Sequence, residues 1–308
     1  MRKPIFQTFS AGLKFFLVIV VCFFMLIMFG SFGNEFAEWI TGIRPFSEDG
    51  PIDFSVPGSN AAYRIASVFA NVGGFLFGAL LLARFSANNL SAYFNFKTPL
   101  KWKYTWVVLI CFVAAIPVVQ LLSVINELIG GVNLEGIQDE TSQQIKTALL
   151  NTTDFSVVLL NLFTMALLPA IGEELFFRGV VLRVSYQGTK NLHLGVLFSA
   201  ILFAVIHFEF DHILAITFMG ILLGYLYVYT GSILVPIALH FLNNGVFIVL
   251  EAYGRDSGVA HFFNDSAFGN IVLWTTLGLL SLAFFIFFLK RSINKERWPM
   301  MTGSLLRD

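Results

Sequence analysis

The sequence predicts an all-α, polytopic membrane protein. Mean hydropathy is +0.78. Of the 308 residues, 57% are hydrophobic and only 12% are charged, whereas a soluble domain carries about 25% charged residues. Apolar runs also recur along the whole chain.

A helix that crosses a bilayer needs about 20 mostly apolar residues. Eight runs are read as spans: 14–31, 65–84, 105–125, 155–177, 194–208, 213–229, 233–250 and 268–289. The fifth is the shortest. Arg2 and Lys3 resemble the start of a secretory signal. The apolar run behind them is long and no clear A-x-A site follows, so the first span is expected to be a retained anchor.

Lys and Arg collect on the cytoplasmic side of membrane proteins. With eight spans and the N-terminus inside, the inner segments hold Arg2, Lys3, Lys14, Arg84, Lys97, Lys101, Lys103, Arg178, Arg183, Lys190, Lys290, Arg291, Lys295, Arg297 and Arg307. The outer segments hold only Arg44, Arg64, Lys146 and Arg255, a ratio of 15 to 4. Both termini are therefore expected to be cytoplasmic, in a multi-pass protein of the cell (cytoplasmic or inner) membrane. The chain is read as one membrane domain, 1–308, without repeats. Turn formers in the outer segments (Pro45, Pro51, Pro57, Gly130 and Gly131) leave room there for short interfacial helices.

Net charge is zero, so no electrostatic footprint for nucleic acid exists. Cys22 and Cys111 both lie in apolar runs, which argues against a disulfide framework or a cysteine metal site. The 36 Phe residues read as apolar packing.

Polar investment is concentrated in spans four to seven, which hold Glu173, Glu174, Arg178, His207, Glu209, Asp211, His212 and His240. Ionisable groups inside a membrane point to function. Glu174 and Arg178 stand at i and i+4 and can pair on one helix face. Glu173 is turned about 100° away from Glu174. An ion pair at the interface would explain Glu174 and Arg178, but not Glu173.

His240 and Asn244 are also at i and i+4, so an imidazole and a carboxamide share one face; helix-to-helix hydrogen bonding is the plainer alternative. Phe203 stands four residues before His207 and can stack on it. The run HFEFDH (207–212) reads as an interfacial turn in preference to a metal cluster. Glu173 is 17 residues before Lys190 and His207 is 17 after it. In an antiparallel hairpin centred there the two lie at one level, provided span four continues as a helix beyond Arg178. Pro169 and Pro236 each stand four residues before a site residue, where a proline can bend a helix.

Glu173, Glu174, His207, His240 and Asn244 together are equipment for water attack on an amide carbonyl. A poorly solvated glutamate can take a proton from water. A histidine can orient that water or bind a metal. A histidine–asparagine pair can donate to an oxyanion. There is no G-x-S-x-G, no H-E-x-x-H and no pair of intramembrane aspartates.

Three motifs follow in order: EELFFRG (173–179), FAVIH (203–207) and HFLNN (240–244). They resemble the CPBP family of intramembrane endopeptidases (CAAX proteases and bacteriocin-processing proteins, also called Abi), whose pattern is EExxxR, FxxxH, HxxxN. The resemblance covers about 155–250, the expected catalytic core. It implies Glu173 as general base on water, His207 as its assistant or as a metal ligand, Glu174 and Arg178 as support, and His240 and Asn244 as oxyanion donors. It also implies a membrane-associated peptide or protein as substrate. Family descriptions include both metallo- and glutamate-type enzymes. If a metal is used, zinc on Glu173, His207 and His240 with an open fourth position suits the residues. A non-catalytic immunity or scaffold protein on the same fold is the alternative from another class.

Overall fold

The computed structural model describes residues 5–46, 52–96, 102–129, 137–254 and 268–292. Both chain ends, and with them the expected cytoplasmic termini, lie outside the described residues, as do Pro51, Gly130 and Gly131. The described elements are helical: α1 (Ala11–Thr41), α2 (Ser59–Asn71), α3 (Gly78–Ser86), α4 (Leu90–Tyr93), α5 (Trp102–Leu128), α6 (Ile137–Leu150), α7 (Phe155–Asn161), α8 (Leu168–Phe176), α9 (Leu182–Thr189), α10 (Leu192–Ile206), α11 (Ile213–Thr230), α12 (Leu234–Tyr253) and α13 (Phe268–Ser292). The chain is a polytopic, all-α membrane protein.

Every apolar run read as a span is a helix. Among the described residues, six are long and apolar enough to cross a membrane: Ala11–Thr41, Ser59–Ser86, Tyr104–Asn126, Phe155–Thr189, Phe210–Thr230 and Leu234–Tyr253. The other two, Leu192–Ile206 and Val272–Phe288 among the described residues, are shorter apolar helices. Among the described residues, six of the eight expected spans thus have sufficient length. The short one between the fourth and fifth long helices is the run that was also shortest in the sequence.

Local signals set the boundaries. Ser10 caps α1 by accepting from the Leu13 amide at 3.3 Å, and Gly42 ends the helix at φ +73°. Asp154 caps α7, accepting from the Ser156 and Val157 amides at 2.8 and 3.4 Å. Asn191 caps α10 in the same way. Such side chains satisfy amides that a helix start leaves without partners.

The fourth span is one helix of 35 residues, Phe155–Thr189, interrupted by wide π turns at Leu162–Leu167 and Phe177–Val181. Pro169 has no N–H for the Met165 carbonyl, which lies inside the first π turn, so the helix widens where its bonding is broken. Pro236 is in the first turn of α12, where amides lack partners anyway, and no bend is required there.

Glycines let the helices approach. A Cβ on Gly73 or Gly74, in the π turn Val72–Phe77 between α2 and α3, would stand 2.0 Å from Phe29 or 2.2 Å from Leu26 of α1. A Cβ on Gly220 of α11 would come within 2.9 Å of the Ala200 backbone on α10. Packing of small residues substitutes for the hydrophobic drive that lipid removes. Exposed Phe16, Phe23, Phe24 and Ile27 on α1, and Phe284, Phe287 and Phe288 on α13, suit an apolar surround.

Candidate active site

Four elements meet around one buried polar cluster. Span four supplies Glu173, Glu174 and Arg178, α10 ends at His207, α12 supplies His240, and α2 ends at Asn71. Glu174 and Arg178 are each 0% exposed. Charge at such depth is sustained only by pairing. Arg178 Nη1 donates to Glu174 Oε1 at 2.7 Å, and Nη2 donates to the Gly220 carbonyl at 3.0 Å. Its guanidinium also lies over the Phe203 ring, 4.7 Å from the centroid.

His240 Nδ1 stands 2.9 Å from the same Glu174 oxygen. Since a carboxylate accepts, Nδ1 carries the proton. His207 Nδ1 is 2.7 Å from the Phe203 carbonyl, and the same logic places its proton there. Both imidazoles therefore turn Nε2 toward Glu173. His207 Nε2 is 3.7 Å and His240 Nε2 is 3.9 Å from Glu173 Oε2. That oxygen is buried and has no hydrogen-bond partner among the described residues. The other, Oε1, accepts from Asn71 Nδ2 at 3.2 Å.

Phe203 organises the histidines as well as the arginine. Its ring lies 4.4 Å from His207, 5.8 Å from His240 and 5.0 Å from Phe177 by centroids.

Of the six site residues expected from sequence, five form one connected cluster: Glu173, Glu174, Arg178, His207 and His240. Asn244 lies one turn beyond His240 on α12 and accepts from Asn243 at 3.3 Å. None of the described hydrogen bonds joins it to the other five. Glu209, Asp211 and His212 lie on the turn after His207; Glu209 pairs with Lys146 at 3.7 Å, and Phe210–His212 forms a 3-10 turn.

The donor types of Glu173, His207 and His240 are those of a zinc site. Among the described residues, however, no three His, Cys, Asp or Glu side chains are placed to hold an ion. The metal is kept as an outcome of the test below, and no step runs through one.

Residues 155–246 match the family model described as "Type II CAAX prenyl endopeptidase Rce1-like". This stretch carries all three motifs. The match supports a CPBP assignment for this stretch. Two Bacillus subtilis (strain 168) proteins are similar to the chain. "Putative membrane peptidase YdiL" is 28% identical over 92 residues, covering 30% of this chain and 37% of that protein. "Uncharacterized protein YpbD" is 32% identical over 104 residues, covering 32% and 50%. The chain thus spans half or less of the curated relatives it matches. No solved structure is significantly similar.

Two contacts of the cluster escape the motifs. The Gly220 carbonyl is a backbone group, invisible to residue type. Asn71 lies outside the matched stretch, on α2. Its only sequence signal is a carboxamide inside an apolar run, directly before Val72, Gly73 and Gly74.

Proposed function

We propose that this protein is an intramembrane endopeptidase that hydrolyses a peptide bond in or next to the bilayer. The observation that carries the reading is the convergence of three acceptors. With both histidines neutral, His207 Nε2, His240 Nε2 and Glu173 Oε2 all present lone pairs to one small volume. At 3.7 and 3.9 Å they are too far apart for direct hydrogen bonds. A water between them would donate one hydrogen to Glu173 and the other to a histidine.

The same geometry gives the chemistry. The water oxygen attacks the scissile carbonyl carbon as its proton passes to Glu173 Oε2. His207, fixed by the Phe203 carbonyl, orients the water. On substrate entry His240 takes a proton from solvent at Nε2; it then bonds Glu174 through Nδ1 and offers Nε2–H to the oxyanion. Asn244, one turn away, adds a carboxamide N–H once substrate fills the space. When the C–N bond breaks, Glu173 returns its proton to the leaving amine. Arg178 and Glu174 hold the frame.

The substrate is a membrane-anchored peptide or protein. The matched family's description names prenylated CAAX substrates, so the test includes them. Purified protein is offered a library of membrane peptides, with and without a prenylated C-terminal CAAX sequence. Wild type is compared with Glu173→Gln and Glu173→Ala. Loss of a general base lowers kcat by roughly 10²–10⁴-fold. Equal cleavage by wild type and both variants removes the assignment. A chelator titration with metal analysis runs alongside, and zinc-dependent activity would replace this scheme by one with Glu173, His207 and His240 as ligands. If nothing is cleaved, the immunity or scaffold reading takes its place.

A further inference from the structure

We infer that Asn71 is a positioning residue for Glu173, fixing which carboxylate oxygen serves as the base. The inference rests on the peptidase reading above and extends it to a helix outside the motifs.

A free carboxylate rotates readily about its last bond, where the torsion is broad and two-fold. A base that must meet water at one point needs that rotation stopped. Among the described residues, Asn71 Nδ2 is the one group within hydrogen-bond distance of Glu173, at 3.2 Å from Oε1. With Oε1 held, Oε2 is committed to the side facing His207 and His240. The holder is a neutral amide, so the carboxylate keeps its charge unpaired. Its neighbour Glu174 shows the opposite arrangement, with an arginine at 2.7 Å.

The backbone explains why Asn71 can reach. It is the last residue of α2, immediately before the π turn Val72–Phe77. Gly73 and Gly74 let that turn press on Phe29 and Leu26. On the other side, a Cβ on Gly172 would be 3.4 Å from Asn71 Oδ1 and 3.3 Å from Phe75 Cβ. Glycine there admits the amide to the carboxylate one residue along. Asn71 Oδ1 is itself buried without a hydrogen-bond partner among the described residues. The side chain is therefore spent on Glu173 and not on packing the helix ends together by further bonds.

The test uses Asn71→Leu, close in shape but with no donor, and Asn71→Ala, which only removes atoms. The carboxylate stretch of Glu173 is identified in the infrared as the band lost in Glu173→Gln. It is then followed in the Asn71 variants. Cleavage kinetics and thermal melting in detergent are measured beside it. The expected result is a shifted Glu173 band and an unchanged melt, with kcat lower by ~10- to 100-fold and KM unchanged, since misplacing a reacting group by about 1 Å costs on that order. An unshifted band overturns the proposal while leaving the peptidase reading intact. A shifted band with unchanged kcat also overturns it, because the contact would then do nothing for the reaction. A band shift in the Asn71 variants, with a wild type that cleaves nothing, upholds the contact and counts against the peptidase reading.

Discussion

His240 Nδ1 lies 2.9 Å from Oε1 of Glu174, the oxygen that Arg178 also binds. One acid thus anchors both a guanidinium and an imidazole. Its sequence neighbour Glu173 is bonded, among the described residues, only by the neutral Asn71 amide. Two adjacent glutamates, alike in sequence, are separated by what surrounds them.

That separation predicts opposite effects for the same substitution. Glu174→Gln leaves Arg178 fully buried without its bonded counter-charge. Breaking one partner of a buried pair costs about 3–5 kcal/mol, so melting in detergent should fall sharply. Glu173→Gln disturbs only a neutral hydrogen bond and should melt like wild type while losing activity. Equal melting of the two variants would sink the distinction.

Arg178→Lys keeps the charge but not the fork. A single ammonium cannot reach Glu174 and the Gly220 carbonyl while lying flat on Phe203. Losing this hydrogen bond from a charged group costs about 1.5–3 kcal/mol. Chemical denaturation in detergent should show that loss, and a lysine variant as stable as wild type would show the fork to be dispensable.

Gly220→Ala should be destabilising. The new methyl meets the Ala200 backbone and side chain at 2.9 Å, so α10 and α11 must part. Overpacking of this kind costs about 1–3 kcal/mol. Gly12→Ala is the control: nothing lies within 4 Å of the added atom, and alanine is favoured over glycine in a helix by about 0.5–1 kcal/mol. The two melting shifts should differ in sign.

Asp154 gives a pH prediction at the entry to span four. Its hydrogen bonds from Ser156 and Val157, the Ser156 side chain first, hold its carboxyl below the ordinary 3.8. A depressed carboxyl stabilises the fold fully above that value and loses the contribution as pH falls through its folded pKa. Wild type should therefore melt higher than Asp154→Asn near neutrality, and the gap should close below about pH 4. A gap that is constant with pH would exclude a charge effect.

Much of this arrangement is written locally. Helix periodicity pairs Glu174 with Arg178. Counting from Lys190 brings Glu173 level with His207, because both arms of the hairpin rise equally per residue and Lys190 turns the chain at φ +53°. The end of span four is not legible in the same way. Arg178 and Arg183 look like the edge of a membrane, yet the helix runs on to Thr189. Both are buried: Arg178 by Glu174, and Arg183 by Tyr227, to which it donates, and by the Tyr93 ring, 4.7 Å away. Those aromatic partners come from α4 and α11, and their adjacency is a tertiary fact. Asn71 is hidden for the same reason, since nothing in a single sequence says that α2 touches span four.

Phe203 touches the arginine, both histidines and Phe177 with one ring. A residue shared by four neighbours makes their contributions inseparable. Paired substitutions that include Phe203 should depart from the sum of the single ones. In a lineage drifting under selection, position 203 should then change last, or only together with its neighbours, so the history of this site is constrained at an apolar ring as tightly as at its charges.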